Sequence, residues 1–202
     1  MSAMLNSNPP TTERTATITG IGGQGIQLVA KTLAEAFTRQ GRYAMLGASY
    51  GGEMRGGPSA AAVVVGDRPL RSLPVVVRSH AVLLFHDRFS EHALERLVPG
   101  GLCLVNSSVV GEDFVAELPG RRAVPATQTA KELGAAQAGG FVMLGAYCAL
   151  VEPVPADLLE AALTDLLPPY RKQHAATNAR AVEAGMELGR SLATVETVGL
   201  SA

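Results

Sequence analysis

Two glycine-rich segments carry the residue types best suited to chemistry. The first, Gly20-Ile21-Gly22-Gly23-Gln24-Gly25, has the G-x-G-x-x-G spacing. Glycines let a backbone approach a phosphate closely, and a helix starting just after them supplies free N–H groups and partial positive charge. Gly22, Gly23, Gln24 and Gly25 are therefore candidate anion ligands. The second segment, Tyr50-Gly51-Gly52-Glu53-Met54-Arg55-Gly56-Gly57, sets a glycine pair on each side of one acid and one base. Such pairs suit a loop that needs positive φ or a close backbone neighbour at several points. Arg55 offers a rigid fork of donors for phosphate or carboxylate. Glu53 is placed to orient Arg55 or to reach a neighbouring chain. The plain alternative for this segment is a solvated loop between two strands.

A dinucleotide site makes one further demand. An Asp or Glu about 20 residues beyond the loop normally holds the ribose. The corresponding stretch, GRYAMLGASYGG, has no acid before Glu53. That weighs against an ordinary nicotinamide or flavin site. A tight strand–helix turn and a different anionic ligand both remain readings of the first loop.

Both segments fall at the ends of expected strands. Residues 16–19 read as a first strand, and Ile26, Val29, Ala30, Leu33 and Phe37 recur at helical spacing before Gly41. Strand, glycine loop and helix form the first half of a βαβ unit. Further strands fit residues 43–49, 60–65, 81–85, 102–105 and 123–126. A helix carrying Phe89, Ala93, Leu94 and Leu97 fits between a cap at Asp87 or Ser90 and the stop at Pro99-Gly100-Gly101. Helices also fit 129–151, with a break at Gly139-Gly140, then 155–167 and 173–193. This alternation predicts an α/β fold, doubly wound and Rossmann-like, with a mostly parallel sheet and flanking helices. In such a fold both glycine loops face one crevice at the carboxyl ends of the strands. Residues 1–14 read as a disordered tail and 15–195 as a single domain.

Composition excludes several classes. With 17 basic and 18 acidic residues there is no basic stripe for nucleic acid. No apolar run reaches the roughly 18 residues of a membrane span, and the start lacks the basic head and apolar stretch of a signal peptide. Cys103 and Cys148 are the two cysteines, far apart and outside any C-x-x-C spacing, so a self-contained iron–sulfur or zinc site is excluded. Buried thiols in a reducing cytoplasm are the expectation.

The same residues carry a resemblance. The first loop with its alanine- and leucine-rich helix is similar to the opening of the gamma chains of 2-oxoacid:ferredoxin oxidoreductases. Ser49-Tyr50-Gly51-Gly52-Glu53-Met54-Arg55-Gly56-Gly57 resembles their second signature, commonly S-Y-G-P-E-M-R-G-G, and above all its 2-oxoglutarate branch. Gly52 replaces the usual Pro, which loosens the loop. PATQTAKELG, MLGAYCAL and NARAVEAG resemble later blocks, and Ala138-Gly139-Gly140-Phe141 stands where the family often has an Asn before its MLGA block. The resemblance covers residues 15–190.

It implies a non-cluster subunit of a complex that oxidatively decarboxylates a 2-oxoacid to acyl-CoA and CO2, with electrons passing to ferredoxin or NAD. Thiamine diphosphate, magnesium and 4Fe–4S clusters would lie on partner chains. This sequence has neither a cysteine cluster nor a Gly-Asp-Gly stretch followed by Asn to hold them. Coenzyme A is the candidate ligand of this chain, at Gly22, Gly23, Gln24, Gly25 and Arg55. Tyr50, Glu53, Met54, Gly56 and Gly57 would contact substrate or a partner. The implied partners are the thiamine-binding and iron–sulfur subunits and a ferredoxin or NAD-reducing subunit, with 2-oxoglutarate as the first expectation for the oxoacid. No residue of this chain is assigned as catalytic or as a metal ligand. A stand-alone nucleotide-dependent oxidoreductase and a pure assembly module are the alternatives.

Other polar residues have plainer readings. His86-Asp87 follows a strand, where a proton relay is conceivable, but Asp87 suits a helix cap. His80, His92 and His174 are scattered without ligand spacing and read as surface or packing residues. Ser107-Ser108 read as a turn or cap, Arg121-Arg122 as a solvated pair, and Tyr170-Arg171-Lys172 as an exposed helix start. Cys103 has no neighbouring base to make it a nucleophile.

Overall fold

The computed structural model describes residues 13–50, 56–71, 76–151 and 154–199. Residues 1–12, most of the segment read as a tail, lie outside them. β1 (Arg14–Ile21) alternates as a strand must: Ala16 and Ile18 enter the main core, while Thr15, Thr17 and Thr19 face the other side of the sheet. α1 (Ile26–Arg39) buries Ile26, Val29, Ala30, Leu33 and Phe37 on one face, and Gly41 takes φ 83° just beyond its end. β2 (Tyr43–Tyr50) and β3 (Pro58–Gly66) form a hairpin. β4 (Ser79–Leu84), β5 (Leu97–Asn106) and β6 (Arg121–Val124) complete a six-stranded sheet in the order β2-β3-β1-β4-β5-β6.

The sheet is mostly parallel, as expected, with helices on both faces. β1, β4, β5 and β6 run parallel, whereas β3 is antiparallel to both β1 and β2. One inference about connectivity is corrected. β2 does not pair with β1 to close a simple βαβ unit, because the hairpin folds β3 back into the slot between them.

The helices divide unequally between the faces. α4 (Ala126–Glu132), α5 (Gly139–Leu150), α6 (Ala156–Leu166) and α7 (Ala175–Gly199) join α1 around the main core. α3 (Glu112–Glu117) covers a smaller cluster on the opposite face, where Leu84, Cys103, Val105, Val110 and Leu118 are buried. α5 is apolar all round, and each residue from Gly139 to Cys148 is buried. It crosses α7 at very close range: a Cβ on Gly145 would strike the Val182 carbonyl, and one on Gly185 the Val142 carbonyl. Only glycine fits at such a crossing.

Several expected elements are corrected. The helix expected from Phe89 through Leu97 is a single turn, α2 (Glu91–Leu94), and Leu97 opens β5 opposite Ser79. Gly100 at φ 76° and a register shift between Ser79 and Ala81 let β5 begin so early. Phe89 lies outside the helix at φ 64°, 45% exposed. Asp87 caps no helix through its side chain. Its Oδ1 accepts the Arg88 N–H at 2.8 Å and lies 2.6 Å from His86 Nδ1. The glycines expected to interrupt 129–151 instead start α5, after a break that contains a 3-10 turn at Ala136–Ala138.

Candidate functional site

The chain leaves β1 through α1 toward β2 and β3, and later returns to place β4 on the other flank of β1. Ligands of open α/β sheets bind at such a switch point, outside the carboxyl ends of the strands. The first glycine loop sits there. Gln24 ties it down: its Oε1 accepts the Ile21 N–H at 2.9 Å, and its Nε2 donates to the Phe85 carbonyl at 3.2 Å, just past β4. Gly20 leaves room for this side chain, since a Cβ there would collide with Gln24 Oε1 and with Phe85 Cβ.

The second glycine segment meets the first. The Gly22 N–H donates to the Gly57 carbonyl at 2.9 Å, and Gly57 is buried. Gly56 takes φ 74°, a backbone state open chiefly to glycine. Gln27, in the first turn of α1, donates from Nε2 to the Ala60 carbonyl at 2.9 Å and so pins the start of β3 to the helix.

Behind this junction lies a cavity of about 610 Å³. Gly23, Gln24, Gly25 and Leu28 bring the N-terminus of α1 to it, and Ala138, Gly140 and Phe141 bring the N-terminus of α5. Arg171 and His174, from a 3-10 turn at Pro169–His174, and Thr177 and Asn178 bring the N-terminus of α7. A helix start leaves N–H groups without intrahelical partners and about half a positive charge, though at α7 the Ala175 N–H already donates to the Lys172 carbonyl. None of the three has an acidic residue in its first turn. Among the described residues no acid lines the cavity, whereas Arg171 and His174 do. Gly140 lets two of the helix ends approach, because a Cβ there would press on Val29 at 2.9 Å and on Phe85 at 3.1 Å. Asn178 is 9% exposed as a residue and borders the cavity, with no hydrogen bond from its side chain among the described residues. Its amide is thus available to a group in the cavity, whereas the buried side-chain atom without a partner among the described residues is Gln27 Oε1. Helix starts, two basic side chains and polar groups thus meet at one cavity.

The expected site residues are placed as follows. Gly23, Gln24 and Gly25 line the cavity, with Gly23 at φ 103° and Gly25 at φ 75°. Gly22 lies behind them with its amide engaged by Gly57. Tyr50 ends β2 with its backbone opposite Ser59, and Gly56 and Gly57 lead into β3. Glu53, Met54 and Arg55 lie outside the described residues. Arg171, His174 and Asn178 are not singled out for the site by the sequence. The available signal is Asn178 itself, a polar residue on a stripe with Ala181, Val182, Gly185 and Met186 at helical spacing.

The remaining candidates serve structure. Ser108 Oγ accepts the Gln128 N–H at 3.0 Å, and Asn106 bonds the backbone and hydroxyl of Thr127, so both secure the start of α4. Cys103 is fully buried, and burial pushes its thiol up to about 11, away from thiolate chemistry. Among the described residues no His, Cys, Asp and Glu gather to hold a metal ion, and no helix is long and apolar enough to cross a membrane.

The fold is an α/β domain with a mostly parallel six-stranded sheet, and the cavity lies beside the first glycine loop. A family model described as pyruvate ferredoxin/flavodoxin oxidoreductase matches residues 15–188, and the chain belongs to that family. It is 33% identical over 178 residues to the 2-oxoglutarate synthase subunit KorC of Methanothermobacter thermautotrophicus, covering 85% of this chain and 92% of that one. The crystal structure of a keto/oxoacid ferredoxin oxidoreductase gamma subunit from Geobacter sulfurreducens superposes with TM-score 0.70 at 28% identity, over 89% of this chain and 98% of that one. The 2-oxoglutarate:ferredoxin oxidoreductase of Magnetococcus marinus, determined with 2-oxoglutarate, coenzyme A and succinyl-CoA bound, shares the fold with TM-score 0.76 at 24% identity, over 89% of this chain and 31% of that one. The chain is thus a gamma-type subunit of a 2-oxoacid:ferredoxin oxidoreductase. In this family thiamine diphosphate and iron–sulfur clusters serve the reaction on other subunits.

Proposed function

We propose that this subunit binds coenzyme A in the cavity where α1, α5 and α7 begin, and presents it to a 2-oxoglutarate-decarboxylating complex. The convergence of three acid-free helix starts with Arg171, His174 and the unpartnered Asn178 carries this reading. Coenzyme A supplies a diphosphate and a ribose phosphate, the charges such a site favours, and amide and hydroxyl groups for Asn178. Gly23 and Gly25 let the backbone lie close to a phosphate. Arg55 adds a cation from the segment between β2 and β3, oriented by Glu53; Tyr50, Met54 and Gly56 face the thiamine-binding or iron–sulfur partner, while Gly57, buried against Gly22, holds the segment in place. 2-Oxoglutarate is favoured by the Glu53-Met54-Arg55 version of the loop and by the likeness to KorC subunits.

The test is steady-state kinetics of the assembled enzyme, following oxoacid-dependent dye reduction. Arg171→Ala and Asn178→Leu should raise the KM for coenzyme A about tenfold or more, with the KM for the oxoacid unchanged. Arg55→Ala should do likewise. Unaltered dependence on coenzyme A in all three variants would remove the proposal, and a preference for pyruvate over 2-oxoglutarate would correct the oxoacid.

A further inference from the structure

We infer that the 3-10 turn at Pro169–His174 is a strap that closes over an anion in the cavity, which rests on the reading of that cavity as the coenzyme A site. The turn joins α6 to α7 and brings Arg171 and His174 to the cavity. Each of its six residues is exposed. Leu167 before it and Asn178 beyond it are buried, so both ends are fixed and the middle is not. Its hydrogen bonds are local. The Arg171 N–H donates to the Pro168 carbonyl at 2.8 Å, the Ala175 N–H donates to the Lys172 carbonyl, and Gln173 Nε2 lies 3.4 Å from His174 Nε2. Among the described residues no hydrogen bond or ion pair ties the turn to an element other than α7. Pro168 and Pro169 bring no N–H to make one. Six residues are also a long run for a 3-10 helix, whose hydrogen bonds are poorer than those of an α-helix. A segment held in this way moves at low cost.

Charge decides when it moves. Arg171 is always cationic, and it shares the cavity with the starts of α1 and α5, which carry partial positive charge and no acid in their first turns. Among the described residues Arg171 forms no ion pair. Drawing it inward over an empty cavity brings like charges together, whereas a polyanion between them turns that repulsion into attraction. The ligand thus binds the closed arrangement better than the open one, which is what shifts a population. Helical register favours the same movement. Arg171, His174 and Asn178 are spaced i, i+3 and i+7, one face of an α-helix, and Asn178 already borders the cavity from α7. Winding the turn from 3-10 into α extends α7 back to Pro169, a residue suited to the first position of a helix, and sets the three side chains in one row. Tyr170 is 71% exposed, with the Arg171 guanidinium 5.5 Å from its ring centroid, and travels with it.

The experiment is hydrogen–deuterium exchange of the purified full-length chain, free and with coenzyme A or inorganic diphosphate at concentrations that calorimetry shows to be saturating. Fragments covering residues 170–176 should exchange about tenfold more slowly with ligand, and trypsin cleavage after Lys172 should slow alike. Fragments of α6 should not change. Arg171→Gln, compared at saturation, should lose the protection, whereas Lys172→Gln, which does not line the cavity, should keep it. Protection by diphosphate without affinity for coenzyme A would support the strap and overturn the coenzyme reading. Bound ligand with unchanged exchange would overturn the strap and leave that reading intact. So would protection that survives Arg171→Gln. Absence of binding by both probes would overturn both.

Discussion

The Gly22 amide donates to the Gly57 carbonyl at 2.9 Å, and this bond joins the two glycine signatures backbone to backbone. A loop that follows β1 and the turn that precedes β3 therefore meet beside the cavity, which the first loop lines through Gly23, Gln24 and Gly25. Gln27 reinforces the junction by holding the Ala60 carbonyl at 2.9 Å. The glycine pair at Gly56-Gly57 is explained locally: one residue takes φ 74°, and the next is buried against the neighbouring loop. Anything that moves the hairpin is felt at the cavity.

Gln24 should behave as the fastener of the first loop. Gln24→Ala removes the bonds to Ile21 and Phe85 and should cost about 1–3 kcal/mol in urea unfolding. Gly20→Ala should cost a similar amount, because its Cβ has no room beside Gln24. The double variant should fall short of the sum, since Gln24 is one of the groups that the added methyl would strike. Strict additivity would show that the clash with Gln24 does not matter.

The crossing of α5 and α7 should be among the least tolerant places in the domain. Gly185→Ala drives a methyl group into the Val142 carbonyl and should destabilise by about 1–3 kcal/mol or more. Gly111→Ala, at a position with open space around it, should stay within about 0.5 kcal/mol. Thermal unfolding of the pair distinguishes close helix approach from a general cost of losing glycine.

Much of this is legible in the sequence, and the failures share a cause. The strands, the long helices and the glycine loop announce themselves through local spacing. The pairing of β3 between β1 and β2 does not, because strand periodicity shows which face is buried but not which strand lies alongside. Leu94 and Leu97 fit a helix three residues apart, yet Leu97 is claimed by the distant Ser79. The cavity is only half visible. Gly23 and Gly25 are read from their motif, whereas Arg171, His174 and Asn178 come from the far end of the chain and join them only through the packing of α7 on α5.

Cys103 supplies a test by pH. Its folded thiol titrates at about 11 against an ordinary value of 9.0, because burial disfavours the thiolate. The folded state therefore holds this proton more tightly than the unfolded state. The associated stability is complete below pH 9.0 and is lost as pH rises toward about 11. Wild type should lose stability more steeply across that window than Cys103→Ala. The native thiol should also resist alkylation at a pH of about 8, below its ordinary range. Equal slopes, or rapid modification of Cys103 in the folded chain, would contradict its burial.

The most direct measurement is a calorimetric titration of coenzyme A into the purified chain, wild type and Asn178→Leu. The Asn178 side chain makes no hydrogen bond among the described residues, so an apolar group of similar size should leave thermal stability nearly unchanged. It should also weaken coenzyme A binding by about tenfold, the value of a hydrogen bond worth about 1.4 kcal/mol. Binding to wild type that weakens in this stable variant, and that 4′-phosphopantetheine reproduces only in part, is the expected result. No binding to wild type, or equal binding to a variant that folds normally, would contradict the assignment of this cavity to coenzyme A.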